Sequence, residues 1–469
     1  MTPAAAGGPR RSALVVGGGI AGAAAALDLA DRGWQVTLAE ARPRLGGLAF
    51  SFRRTGSAGE LTVDNGQHVH LRCCTAYRRL LDRIEAGHLA PVQPRLDVPV
   101  LDAGAGGARP RPGRLRRTAL PAPLHLAPAL ARYPHLSPGE RAAAARAAFA
   151  LRRLDPADPA LDEQDFAGWL RRHGQSDRGI EALWDLVGVA TLNARAADVS
   201  LALAAMVFRT GLLTDAGAAD IGAARVPLGE VHHTRTLAAL EGAGVRTLLR
   251  TRARRLRPGP GGGWSAVLSE GHRESGETRA DAVILAVPPS AAHHLMPAGA
   301  LPDAGRLLKI GSAPILNIHV VYDRPVLRTA FFAALGSPVQ WVFDRTGPSG
   351  LSRLPGAGGS QYLAVSQSAA RDEIDLPAGV LRKRYLPELD RLLPAARQAT
   401  VRDFFVTRER TATFAPTPGV GRLRPGPVTG AGGLYLAGAW TATGWPATME
   451  GAARSGLAAA RAADGARPA

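Results

Sequence analysis

The chain has only two cysteines among 469 residues, and they are adjacent, Cys73 and Cys74. Neighbouring thiols fit neither a metal site nor a C-x-x-C redox pair, and they exclude a disulfide framework. They read as reduced thiols of a cytoplasmic protein. Lysine is almost missing: Lys309 and Lys383 are the two lysines among 57 basic residues, and the formal net charge is +18. No nucleic-acid motif and no basic stretch interleaved with aromatics accompanies that charge, so nucleic acid is not an expected partner. A positive surface suits an anionic bilayer, and peripheral contact at the cytoplasmic face of a membrane is the expectation. No apolar run of about 18 residues is free of glycine or charge, which argues against a transmembrane helix. The length suits two or three domain-sized units with an ample core.

Against those gaps stands a well-formed opening. Ala13 to Val16 reads as a buried strand, and Gly17, Gly19 and Gly22 follow at G-x-G-x-x-G spacing. Ala23 to Arg32 has helix composition and stops at Gly33, and Gln35 to Ala39 delivers Glu40 at the end of a second strand. In a dinucleotide fold Gly17 permits the tight turn, Gly19 admits a pyrophosphate, and Gly22 lets helix pack on strand. Glu40 can accept both hydroxyls of an adenosine ribose. Strand, glycines, helix and acid together specify a dinucleotide with a free ribose, NAD or FAD. Arg10-Arg11 ahead of an apolar stretch resembles an export signal. Asp28, Asp31 and Arg32 fall where a signal would be finishing, so this stretch is read as mature structure.

Further along, Ala41 to Gly47 places arginines beside two glycines, which suits either phosphates or an ordinary turn. Phe50 to Arg54 and Leu61 to Val63 read as strands leading to the polar loop Val63-Asp-Asn-Gly-Gln-His68, a candidate for cofactor or substrate contact. A lone histidine in such a loop is more often structural than catalytic. Gly104 to Arg117 reads as a Gly-, Pro- and Arg-rich flexible or surface segment whose arginines could rest on lipid headgroups or simply stand on a solvated hairpin tip. From Leu120 to Val207 the pattern is helical, with Ser137-Pro-Gly-Glu140 as a capped helix start. This apolar insertion suggests a cap over a hydrophobic substrate. Ala282 to Val287 and Gly433 to Gly438 read as returning strands, and Met449 to Ala463 as a closing helix.

The predicted fold is α/β with an α+β second domain. A discontinuous Rossmann-like domain spans residues 1–75, 222–300 and 400–469. A mixed-sheet substrate domain takes 76–221 and 301–399, with the helical insertion at 120–210.

The opening unit, Arg42-Pro-Arg-Leu-Gly-Gly47 and Tyr435-Leu-Ala-Gly438 resemble the FAD-dependent amine oxidase and phytoene desaturase superfamily. Within it, Val63 to His68, Leu120-Pro-Ala-Pro-Leu-His125, Thr413-Phe-Ala-Pro416 and Gly444 to Ala452 resemble the squalene-associated desaturases, the hydroxysqualene dehydroxylases. The resemblance implies FAD as cofactor and a hydrophobic triterpenoid, hydroxysqualene, as substrate. The hydroxyl is replaced by hydrogen to give squalene for hopanoid synthesis; the electron donor is not implied. By position, Gly17, Gly19 and Gly22 would hold the pyrophosphate and Glu40 the ribose. Arg44 and Gly47 would follow the diphosphate and ribityl chain. Gly66, Gln67 and His68 would lie near the isoalloxazine, with Gly438, Thr448, Met449 and Glu450 at the last helix's N-terminus.

The resemblance also implies an acid for the leaving hydroxyl, and the candidates are His68, then Asp64 and Glu450. Two departures stand out. Ala439 follows Gly438 where relatives carry an acid, and the strand Pro314 to His319 lacks the lysine of amine oxidases, which argues against amine oxidation. An oxidative carotenoid or phytoene-type desaturase shares the fold. A flavin-free prenyl-binding protein of GDP-dissociation-inhibitor type is the non-enzyme alternative.

Overall fold

A computed structural model describes residues 10–104, 109–271 and 273–466. Part of the predicted surface segment at 104–117 therefore lies outside the described residues.

The opening strand, Ser12–Val16, sits in the middle of a five-stranded parallel sheet. Across the sheet the order is Leu434–Leu436, Ala282–Leu285, Ser12–Val16, Gln35–Ala39 and Arg246–Leu248. Sequence order reverses between Ser12–Val16 and its neighbour Ala282–Leu285, and the carboxyl end of such a switch is where doubly wound sheets bind ligands. The strands read as near-continuous apolar runs because helices cover the sheet. Helix Ile20–Asp31, rich in alanine, is buried along most of its length. The last helix, Met449–Gly465, crosses it at Gly456, where a Cβ would lie 2.1 Å from the Ala21 carbonyl oxygen. Backbone contact of this kind requires glycine.

The second sheet has seven strands, in the order Val401–Thr413, Ala313–Tyr322, Gln361–Gln367, Trp341–Asp344, Phe331–Leu335, Asp97–Asp102 and Arg111–Arg116. Its pairs are antiparallel except Phe331–Leu335 with Asp97–Asp102. One expectation is corrected here. Val401–Thr413 pairs along Ala313–Tyr322, so residues 400–413 belong to the substrate sheet and not to the nucleotide domain. Residues 111–116 lie at the surface and form an edge strand, hairpinned to Asp97–Asp102, whose exposed arginines suit a sheet margin.

The insertion is helical as predicted. Ser137 and Glu140 form the reciprocal cap of Pro138–Arg152. Phe166, Trp169, Trp184 and Phe208 pack ring against ring at its centre. That cluster is continuous with Leu14, Val16, Leu285 and Leu436, so the insertion shares its core with one face of the parallel sheet.

Candidate flavin site

The carboxyl edge of the parallel sheet is built from glycines with distinct jobs. Gly17 has φ +108°, and a Cβ there would lie 2.3 Å from the Ala286 carbonyl oxygen. At Gly22 a Cβ would lie 1.8 Å from the Gly17 oxygen, so helix and turn touch through backbone. Gly19 is different. Its Cβ would meet nothing nearer than the Gly47 Cα at 3.7 Å, so no protein contact explains the missing side chain. Gly47, with φ +59°, faces it, and the two backbones make a narrow slot beside the helix N-terminus. A pyrophosphate needs that approach.

Glu40 is buried at the end of Gln35–Ala39. Its two oxygens accept N–H groups from Gly18 at 2.6 Å and Arg42 at 2.7 Å, which fixes the carboxylate next to the slot. Arg44 lies flat on Phe50 at 3.4 Å and donates to the Gly47 carbonyl at 3.0 Å. Burial lowers its pKa. Arg44 thus shapes the loop that presents Gly47. Its outer side lines a half-open cavity of about 480 Å³ with Phe50, Phe52, Arg225, His233 and Arg353.

The loop 64–68 follows the hairpin Ser51–Gly56 and Gly59–Asp64. Asp64 accepts from Ser51 Oγ at 2.6 Å, the Leu228 N–H at 2.9 Å and Arg345 at 2.5 Å. Both its oxygens are engaged. Asn65, passed over in the sequence, ties the loop down. Its side chain accepts the Phe50 N–H at 3.1 Å and donates to the Leu48 carbonyl at 2.8 Å and Glu409 at 3.0 Å. Its carbonyl accepts from Asn317 at 3.1 Å and Thr407 at 3.2 Å. Behind these, His319 bridges Thr407 and the Tyr362 hydroxyl, stacked on Phe405, and burial pushes its pKa down to about 3. Asn317 occupies the strand that lacks lysine; its amide oxygen is buried without a partner. Only the V-D-N-G-Q-H motif could have pointed to Asn65; Asn317, Thr407 and His319 lie far off in sequence and carried no local signal.

Gly66 and Gln67 complete the loop, and the Gln67 side chain makes no hydrogen bond among the described residues. His68 is half-buried; Nδ1 lies 3.2 Å from the Gly66 carbonyl, which leaves Nε2 free. Burial depresses its pKa, an effect that neighbouring Asp64 and Glu409 oppose. Leu48 and Val69, which follow Gly47 and His68, are 49% and 39% exposed, so apolar side chains flank this polar loop.

At the other end of the chain Gly438 has φ +143° and donates its N–H to Ser455 Oγ at 2.8 Å. Thr448 caps the last helix through the Gly451 N–H at 3.0 Å, which places Met449 in its first turn. Glu450 accepts the N–H groups of Ala76 at 3.1 Å and Tyr77 at 2.8 Å, with Arg454 at 2.6 Å. It caps helix Thr75–Arg83, and both its oxygens are occupied. Tyr77 in turn meets His232 at 3.1 Å, and His232 abuts the backbone of Gly46. The start of the last helix is therefore braced to the Gly46–Gly47 loop.

The residues present fit FAD: a backbone slot for a pyrophosphate, a fixed carboxylate for a ribose, and a second segment reaching the same edge from residues 438–450. The model of the flavin-containing amine oxidoreductases matches residues 20–463. The chain belongs to that family. The flavoenzyme is 32% identical to a hydroxysqualene dehydroxylase of Rhodopseudomonas palustris, over 95% of this chain and 96% of that protein. It is 30% identical, over the same shares, to one from Sinorhizobium fredii. Among solved structures it is similar to putrescine oxidase, with a TM-score of 0.69 and 18% identity over 97% of this chain and 99% of that one. Cyclohexylamine oxidase from Brevibacterium oxydans matches at 0.68 and 19% over the same shares. The flavoenzyme is an FAD-dependent oxidoreductase. Among the described residues no cluster of histidine, cysteine and carboxylates is arranged to hold a metal.

Proposed function

We propose that this enzyme reductively removes the hydroxyl of hydroxysqualene to give squalene. The observation that carries the reading is near-full-length similarity to hydroxysqualene dehydroxylases, at 32% and 30% identity. The missing lysine in Ala313–Tyr322 supports it against amine oxidation.

The reaction breaks a carbon–oxygen bond, forms a carbon–hydrogen bond and releases water. Bound FAD, once reduced, would supply the hydride, and the proton that completes the released water comes from an acid of the chain. The chain must do the rest. Hydroxide is a poor leaving group, so the departing oxygen needs a proton or a strong hydrogen bond. Of the three candidate acids, Asp64 is held by Arg345, Ser51 and Leu228, and Glu450 is held by a helix terminus and Arg454. His68 keeps a free Nε2 and is the group we assign to the oxygen. A carbocation formed there must be shielded from water. Leu48, Val69 and the helical insertion are the apolar elements available to shield it.

The test is anaerobic. Photoreduced enzyme mixed with hydroxysqualene should yield squalene as the flavin reoxidises. Flavin that stays reduced, with no squalene formed, would overturn the proposal. Zeta-carotene desaturase of Zea mays is 30% identical over 38% of the chain, so an oxidative desaturase is the second reading. Reduction of oxidised enzyme by a carotene, without oxygen, would favour it.

A further inference from the structure

One face of the seven-stranded sheet carries an aligned row of side chains. The register sets Thr407 opposite Asn317, Asn317 opposite Ser366, and Ser366 opposite Trp341. Residues paired in this way project to the same side of a sheet. At one end of the row Asn317 and Thr407 donate to the Asn65 carbonyl, so the loop carrying His68 is tied to this end. Neighbouring strands are about 4.8 Å apart, which sets the Trp341 backbone about 10 Å further along the same face.

The strand Gln361–Gln367 is buried throughout except at Ser366, and in the next strand Trp341 and Phe343 are half-buried. The small Ser366 side chain therefore leaves a low place between the polar end of the row and the aromatic end. Trp341, Phe343 and Phe331 form that aromatic end, with ring centroids 5.9 to 6.3 Å apart. The cluster they belong to joins the sheet to the helical insertion, and Leu71, Leu183 and Leu212 pack on it without being fully buried. Leu183 and Leu212 each sit on a π-helical turn, Ile180–Asp185 and Arg209–Leu213, a rare wide turn that is frequent at functional sites. Leu71 ends the short strand that starts one residue after His68. A close-packed core would bury these apolar side chains completely. Left partly open, they line a space that runs from His68 to the aromatic cluster.

Loss of water from an allylic alcohol leaves a positive charge on carbon. A carboxylate beside that carbon would attract the charge but also bond to it. An indole face attracts a cation through its quadrupole, most strongly where water is excluded, and forms no bond. Trp341 and His68 have long side chains converging on one space, so a carbon whose oxygen meets His68 Nε2 can lie against the indole.

We infer that Trp341 is a catalytic residue of the proposed reaction: its indole face, backed by Phe343 and Phe331, stabilises the substrate cation beside His68. The inference rests on the hydroxysqualene reading, so its test is read both with and without turnover.

Squalene added to FAD-loaded wild type should quench tryptophan emission, and Trp341→Phe should remove most of that change. An equal change in both proteins would overturn the inference whatever the turnover. For turnover, photoreduced enzyme receives hydroxysqualene without oxygen. Trp341→Leu should lower kcat about tenfold or more with KM within about threefold, and Trp341→Phe should stay closer to wild type. Enzyme made with fluorotryptophan keeps the shape of the ring and weakens its negative face. Its kcat should fall in the wild-type sequence and hold in Trp341→Phe. Fluorination that affects both alike would overturn the inference, and this comparison decides alone if Trp341→Leu does not fold. Quenching that depends on Trp341, with no squalene formed by wild type, would overturn the hydroxysqualene reading and the catalytic role with it, while leaving the hydrocarbon wall in place.

Discussion

Single residues carry the argument where chemistry is concerned, and three acids that look alike in sequence separate in the structure. Asp64 and Glu450 are spent on buried structural bonds, and His68 is not. Replacing His68 by alanine should cost about 10²- to 10⁴-fold in turnover and leave the flavin spectrum intact, measured by squalene formation. Asp64→Asn should instead act on stability, because it leaves Arg345 without its carboxylate; loss of one partner of a buried pair costs about 3–5 kcal/mol. Burial lowers the His68 pKa below its ordinary value near 6.5. An acid must carry its proton, so kcat/KM should rise as pH falls through a value below 6.5. A profile flat across that range, or one falling with acidification while the protein stays folded, would remove His68 from the role.

At the scale of elements, the crossing of the first and last helices is the tightest joint of the nucleotide domain. Gly456→Val would push a branched side chain into the Ala21 carbonyl. We expect destabilisation of about 3 kcal/mol or more, together with weaker FAD retention, read from thermal melts and flavin release. This scale also separates what sequence could and could not disclose. The unit from Ala13 to Glu40 was legible because its strand, glycines, helix and acid are contiguous, and each obeys a local rule. The Ser137 cap was legible for the same reason. Strand Val401–Thr413 was misplaced because pairing partners are chosen across the sheet, nearly ninety residues away at Ala313–Tyr322, and no local pattern records that choice. Arg111–Arg116 was legible as surface but not as strand, because an edge strand facing water needs charge, not hydrophobicity. The hydrogen-bonded roles of Asp64 and Glu450 were invisible for a related reason: their partners, Arg345 and helix Thr75–Arg83, are hundreds of residues distant.

For the whole molecule, buried neutral histidines set the response to acid. Burial pushes His319 and His232 to about 3 and His70 to about 4. The folded pKa values lie below the unfolded one, so the unfolded chain binds more protons between about pH 4 and 6.5. Stability contributed by these groups is complete above 6.5 and is lost as pH falls through that window. Denaturant midpoints should therefore drop on acidification, with uptake of about three histidine protons on unfolding. His319→Gln, which keeps a polar group for Tyr362 and Thr407, should make the slope shallower. An unchanged slope would show that His319 is not among the groups responsible.

Arg11, at the start of the first strand, donates to the carbonyls of Ala463, Asp464 and Ala466 at the end of the last helix. A ribosome emits these partners 452 to 455 residues apart. The glycines for the pyrophosphate are made long before the rest of their sheet, which lacks its outer strand until residues 434–436 emerge and its covering helix until later still. Until then the nascent chain has the slot but not its other wall. Flavin capture should therefore wait for that strand and helix to emerge, and until then the apolar strands Ser12–Val16 and Ala282–Leu285 are open to association with other chains.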